Sequence, residues 1–289
     1  MNESKGFDKS DESNRSDGAG AFLGLAPRPT TTSVLLAEAA GRRGLAVETL
    51  PTSRRGSAHY YGGPLFGAGQ VDALGLALLE PADDWLPSLP EAFRGREIRA
   101  STLGEARRST RPAFVKPPSD KGFPAAVYAD GDRLPPLREL SPDTPVQTSE
   151  VVTWVAEYRL FVLDGAVRTG SRYARFGRLD VAPLGGGRHE RAVRGFAAEL
   201  LGECGEGLPS AVVVDVGLLT RADGADETWA VVEANMAWFS HSYAADPEGV
   251  LDVVLRSAGP RDRLADRDRP FCRHLVSAVD RPSPVDRRI

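Results

Sequence analysis

Two stretches near the C-terminal end of the chain constrain its fold most: residues 211–219 (AVVVDVGLL) and residues 228–235 (TWAVVEAN). Each is an almost unbroken apolar run, too short for a packed helix and rich in valine. Such a run reads as a strand covered on both faces. The intervening RADGADE carries an Asp223-Gly224 turn signal, so the two runs pair as an antiparallel hairpin. Only Asp215, Glu233 and Asn235 interrupt the apolar pattern. Alternation along a strand puts Glu233 and Asn235 on one face, and a turn at Asp223-Gly224 places Asp215 opposite Glu233. Two facing carboxylates repel. A divalent cation with oxygen ligands converts that repulsion into binding, and Mg²⁺ suits two carboxylates and an amide oxygen.

Earlier in the chain the pattern alternates. AFLGLAP reads as a strand, TSVLLAEAAGRRG as a helix stopped by Gly44, LAVETLP as a strand and QVDALGLALLEP as a helix running into a strand. Residues 21–111 are therefore expected to form an open α/β unit. Hairpin signals dominate the middle of the chain: AFVKP and AAVYADGDRLPP, then EYRLFVLDGAVRTGSRY about Asp164-Gly165. The stretch RHERAVRGFAAELLGECG has amphipathic helical spacing, as does DPEGVLDVVLRSAG. Residues 1–20 and 259–289 are polar and charged and are expected to be tails, with a short apolar patch at 271–279.

A two-residue turn in EYRLFVLDGAVRTGSRY puts Glu157 opposite Arg172 and Arg159 opposite Gly170, so that Glu157, Arg159 and Arg172 share one face. Two guanidinium groups there could hold phosphate or carboxylate; a plain cross-strand ion pair accounts for Glu157 and Arg172 equally well.

Only four of the 36 basic residues are lysines: Lys5, Lys9, Lys116 and Lys121. Two of these fall in FVKPPSDKGF, a strand end followed by a proline-stiffened loop. Lysine supplies a compact point charge that arginine does not, and Gly122 permits close approach of the backbone to a phosphate. GGPLFGAG lacks the third glycine of a dinucleotide fingerprint and reads as a turn, and LGGGRHE reads as a linker. His59, His189, His241 and His274 show no metal-ligand spacing.

A formal charge of −4 argues against general nucleic-acid binding. Cys204 and Cys272 offer neither a disulfide framework nor a zinc spacing, which suits a reducing compartment. The apolar runs fall short of a spanning helix and the N-terminus is polar, so a cytoplasmic location is expected.

Taken in order, the strand lysine of FVKP, the loop SDKGFPAAVY, the strand VQTSEVV, the hairpin EYRLFVLDG and the acidic pair VVVDVG and VVEANMAW resemble the ATP-grasp superfamily. Within it the chain is similar to the clade described by two conserved arginines and a lysine, with HYYGGPLF and DWLPSLP as further points of likeness. The resemblance runs from about residue 58 to 259. It implies an α/β chain with an N-terminal open domain (21–111) and two antiparallel-sheet subdomains (112–149 and 150–258) that sandwich ATP.

By the same resemblance Lys116 would contact the α/β phosphates, and Lys121 with Gly122 would cover the triphosphate. The segment Glu150 to Val152 would bind adenine, and Glu157 would face the ribose or the metal cluster. Arg159 and Arg172 would meet the transferred phosphate or acyl group; Asp215, Glu233 and Asn235 would hold Mg²⁺. The loop after Lys116 has less glycine than many relatives, and Met236-Ala237-Trp238 stands where many have proline. The implied activity is ligation of a small-molecule or peptide carboxylate to an amine or other nucleophile through an acyl phosphate. A kinase on the same scaffold and a non-catalytic nucleotide-binding module are the alternatives.

Overall fold

The computed structural model of the chain describes residues 20–118, 122–220 and 227–272. It opens with β1 (Phe22–Leu25), α1 (Thr31–Arg42), β2 (Ala46–Thr49) and β3 (Ala58–Tyr61), the strands forming a parallel sheet in the order β2-β1-β3. Helix α1 starts where expected because Thr30 and Ser33 form a reciprocal capping box. It ends just before Gly44, whose φ of 68° suits glycine. The GGPLFGAG segment is not the turn its glycines suggested. It supplies the first half of α2 (Pro64–Leu74), with Pro64 in the first turn, where a missing N–H costs nothing. Gly67 is tolerated within that helix because the Tyr60 ring fills the space a side chain would need.

Next come β4 (Leu76–Leu78), the short helices α3 (Trp85–Ser88) and α4 (Glu91–Arg94), β5 (Ile98–Thr102) and α5 (Leu103–Ala106). Strands β6 (Ala113–Lys116), β7 (Ala126–Tyr128) and β8 (Pro145–Ser149) join β5 in an antiparallel sheet ordered β5-β8-β6-β7. Residues 98–102 thus belong to the small sheet rather than to the N-terminal unit that their sequence pattern suggested. Leu103, Val115, Phe123, Leu134 and Val146 form its core.

The largest sheet is built from β9 (Thr153–Leu163), β10 (Ala166–Arg175), β11 (Arg178–Pro183), β12 (Ala211–Thr220) and β13 (Thr228–Asn235), in the order β11-β10-β9-β12-β13. Helix α6 (Glu190–Cys204), with α3 and α4, covers one face through Tyr158, Leu160, Val212, Val214 and Val216. Helix α7 (Pro247–Ser257) and α1 cover part of the other through Phe161, Ala211 and Val213. Coverage on both sides is why β12 reads as continuous valine. The rest of that second face carries a cluster of polar residues.

Residues 259–272 depart from the expected solvated tail. Strand β14 (Ala258–Pro260) pairs with β4, and Asp268, 1% exposed, accepts from Ser210 N and Oγ at 2.7 and 2.6 Å. The hairpin tip at 223–224, most of the 271–279 patch and residues 1–19 lie outside the described residues.

Candidate active site

Strand pairing places Asp215 directly across from Glu233, as the hairpin argument requires. A bulge just past Asp215 leaves Asp215, Glu233 and Asn235 converging on one side of the sheet. Asn235 Nδ2 donates to Glu233 Oε1 at 2.8 Å and to Asp215 Oδ2 at 3.5 Å. Lys116 reaches across from the small sheet, and its Nζ donates to Glu233 Oε2 at 2.5 Å. Arg159 Nε and Nη2 grip Asp215 Oδ1 and Oδ2 at 2.9 and 2.6 Å. Two acids are therefore balanced by one lysine and one arginine, with Asp215 only 1% and Arg159 12% exposed.

The electrostatics follow from that burial. Burial pushes the Glu233 carboxyl up, but the Lys116 ammonium and the Asn235 amide outweigh it and hold Glu233 below the usual glutamate range. Burial raises Asp215 above the ordinary aspartate value against the opposing Arg159 guanidinium. Burial disfavours the Arg159 cation, yet its bidentate bond to Asp215 keeps it firmly charged. These are oxygen donors held close together by the fold, and their charges are met by Lys116 and Arg159. The set fits Mg²⁺ once the Asn235 amide presents its oxygen instead of its nitrogen.

The β9–β10 hairpin corrects the expected register. Bulges at Arg168 and at Tyr173 put Arg159 opposite Ser171 rather than Gly170, and Glu157 opposite Ala174 rather than Arg172. Arg172 pairs with Tyr158 on the face that α6 covers, and its guanidinium binds Asp180 Oδ1 at 3.0 Å and the Asp180 carbonyl at 3.1 Å. It does not join Glu157 and Arg159. Tyr173 takes that place: its hydroxyl donates to Glu157 Oε2 at 2.9 Å. Burial raises the Glu157 carboxyl, and nearby Asp215 and Glu233 raise it further against the Tyr173 hydrogen bond. A simple two-residue turn cannot reveal an extra residue in the strand, so Tyr173 was not visible in the sequence.

A second aromatic residue completes this corner. Tyr243, with φ of 51°, stacks on Tyr173 at 5.3 Å between centroids, and both rings lie within 6 Å of the Arg159 guanidinium. Hydroxyl groups peg the loop that carries it: Thr32 accepts from Ser242 N, Ser171 from Ala244 N and Thr169 from Asp246 N, each within 3.1 Å. Tyr61 Oη donates to the Ser240 carbonyl. The non-glycine left-handed conformation at Tyr243 is held by this surrounding network.

Residues 150–152 cross from β8 to β9, between the two antiparallel sheets. Glu150 is exposed, Val152 is half-buried, and Glu150 N donates to the Glu97 carbonyl at 3.0 Å. Gln147 pairs with Lys116; its Nε2 donates to the Asp83 carbonyl, while its buried Oε1 has no partner among the described residues. Arg96 lies under the same crossing, donating to the Val231 and Val232 carbonyls and lying over the Trp154 ring at 4.9 Å. Burial lowers its pKa to about 10. In a chain so rich in arginine nothing singles out Arg96 in advance. Gly122 is exposed, with open space where a side chain would be. Lys121 lies outside the described residues.

Comparison with solved structures finds the same fold in a RimK domain protein ATP-grasp from Sphaerobacter thermophilus DSM 20745, at 17% identity and a TM-score of 0.52 over 81% of this chain and 99% of that one. The chain is also similar to D-alanine--D-alanine ligase from Bacillus anthracis, at 13% identity and a TM-score of 0.47 over 82% and 96%. A third similar structure is the macrocyclase MdnC bound with precursor peptide MdnA from Microcystis aeruginosa MRC, at 13%, 0.47, 82% and 100%. Comparison with curated proteins returns no significant match. The model of an ATP-grasp domain family, the second family of the clade named for two arginines and a lysine, matches residues 93–253, which span β9 to β13 and all of the small sheet. That stretch is more than half of the sequence and includes the whole charged cluster, so the chain belongs to the ATP-grasp superfamily, in the second family of the two-arginine, one-lysine clade.

Proposed function

We propose that this protein is an ATP- and Mg²⁺-dependent ligase that activates a carboxylate as an acyl phosphate for capture by an amine or another nucleophile. The observation that carries the reading is the bond from Lys116 of one sheet to Glu233 of the other, where Asn235 joins Glu233 to Asp215. A bound magnesium ion would neutralise phosphate charge there, and Asp215, Glu233 and Asn235 are the residues that would hold it.

The protein's own groups account for the rest. Lys116, now bonded to Glu233, would meet phosphate oxygens if Glu233 served a metal instead. Arg159, freed from Asp215, presents two parallel N–H groups to a phosphoryl or acyl-phosphate oxygen. Tyr173 and Tyr243 would keep its plane fixed while it does so. Segment 150–152 and Gln147 Oε1, which has no partner among the described residues, would offer acceptors to an adenine amino group. Lys121 and Gly122 belong to the loop that would lie over the triphosphate. Enclosure between two sheets would keep water from the acyl phosphate. Arg172, bound to Asp180 on the covered face, has no part in this scheme.

Membership of the ATP-grasp superfamily and the Arg159 fork beside the acidic pair support a small-molecule or peptide carboxylate as the substrate class to screen. Among the described residues no helix is long and apolar enough to cross a membrane, and the free Cys204 and Cys272 suit the cytoplasm.

The test is a screen of carboxylates with ATP, magnesium and hydroxylamine, reading ADP and hydroxamate together. A ligase gives both. ADP without hydroxamate in the presence of a hydroxyl acceptor identifies a kinase, and ATP binding without substrate-stimulated ADP release identifies a non-catalytic module. Asp215→Asn and Glu233→Gln should each abolish turnover; full activity of both at limiting magnesium would overturn the metal assignment.

A further inference from the structure

A cavity of about 510 Å³ lies away from the charged cluster and shares no residue with it. Its walls are the last turn of α7, the turn end of the β9–β10 hairpin and the segment 259–268 that follows β14. Leu163, Leu255, Pro260 and Leu264 give it an apolar lining, and Arg168, Arg256 and Arg263 stand around it.

The charges do not cancel. Arg168 binds Asp252 at 2.6 Å, but Asp252 is already gripped by Arg43 at the same distance. Arg256 has only a 3.4 Å contact with Asp164, and both groups are about half exposed. Arg263 has no ion-pair or hydrogen-bond partner among the described residues. The other acid in the wall, Asp268, spends both oxygens on Ser210 and faces into the fold. His59 lies within 2.7 Å of the Leu255 carbonyl through Nδ1, so that nitrogen carries the proton and donates. Burial, with Arg263 nearby, keeps the ring below its ordinary pKa and hence neutral. His59 therefore contributes no charge of either sign to the wall.

We propose that this cavity binds a small amphiphilic anion: a carboxylate whose apolar chain lies against Leu163, Leu255 and Leu264 and whose charge is met by Arg256 and Arg263. The volume falls in the range of small-molecule sites, which combine apolar walls with a few orienting polar groups. A planar guanidinium matches a carboxylate with two parallel hydrogen bonds. The proposal stands independently of the ligase reading, since none of these residues belongs to that site.

Octanoate is a suitable probe for the full-length protein, with 1-octanol as the uncharged chain and acetate as the charge without a chain. Calorimetry should show saturable octanoate binding, with 1-octanol and acetate each at least about tenfold weaker. Arg256→Ala combined with Arg263→Ala should weaken octanoate about tenfold or more and leave binding of a non-hydrolysable ATP analogue unchanged. Leu264→Asp, at a half-buried surface position, should abolish it. Absence of saturable octanoate binding to wild type, or equal binding by the double variant, overturns the proposal. So does equal affinity for 1-octanol, which would reduce the cavity to a plain apolar recess.

Discussion

Replacing Arg159 with methionine gives the sharpest test of how the site is held together. The change keeps most of the side-chain volume but removes both hydrogen bonds to Asp215, which is 1% exposed. Stranding a buried carboxylate costs about 3–5 kcal/mol. At roughly 2–4 °C per kcal/mol for a chain of this size, the thermal midpoint should fall by about 6–20 °C. Arg159→Lys should lose less, because it keeps the charge without the fork. Adding Asp215→Leu to Arg159→Met removes the stranded charge and should restore most of the loss, since well-packed apolar groups can replace a buried ion pair at little cost. Urea unfolding of the two singles and the double closes the cycle. Loss of less than about 0.5 kcal/mol in Arg159→Met, within the error of independent sites, would refute the reasoning. A double variant no more stable than Arg159→Met would refute it equally.

Glu157→Gln should stabilise the protein at neutral pH. A carboxyl whose folded pKa is raised binds its proton more tightly folded than unfolded, so its contribution is greatest below the unfolded value and declines as pH rises through the folded one. The advantage of the variant should therefore vanish on acidification in pH-dependent urea melts; an advantage that persists at low pH would contradict the electrostatic account. Gly217→Ala should disturb Trp154, because a Cβ there would lie 2.5 Å from the indole ring. An overpacking penalty of about 1–3 kcal/mol and a shift in tryptophan emission are expected, and unchanged emission would count against the contact. Gly131→Ala should be more damaging, because its Cβ would fall 1.9 Å from the Arg107 carbonyl oxygen. Soluble yield and thermal midpoint should both drop, and a wild-type midpoint would refute that packing.

The parts of the fold that sequence reveals are those governed by short-range periodicity. The Gly44 stop of α1, the Asp164-Gly165 hairpin and the valine-rich β12 all follow from local rules. The Asp215–Glu233 pairing was legible because polar residues in a covered strand stand out against their neighbours. Arg172 was misplaced for a different reason. A β-bulge shifts alternation by one residue, and the two bulges in β10 depend on what that strand packs against, namely the loop pegged by Thr169 and Ser171. Residues 98–102 escaped because strand pairing with 145–149 is a long-range fact. Tyr243 and Arg96 act through contacts distant in sequence, and their surroundings carry no local signature.

The way the sheets are joined has a mechanical consequence. The loop from Ser240 to Asp246 is fastened by separate hydroxyls to α1, β3 and β10, so the N-terminal sheet and the five-stranded sheet share one set of bolts. The four-stranded sheet is held through fewer side chains: Gln147 Nε2 reaches the Asp83 carbonyl, Ile98 enters the core beneath the five-stranded sheet, and Lys116 reaches Glu233. The backbone enters it through residues 95–97 and leaves through 150–152, and the bond from Glu150 N to the Glu97 carbonyl ties these two straps side by side. Any bending at these paired straps would change the distance between Lys116 and Glu233, so the ion pair between the sheets would report it.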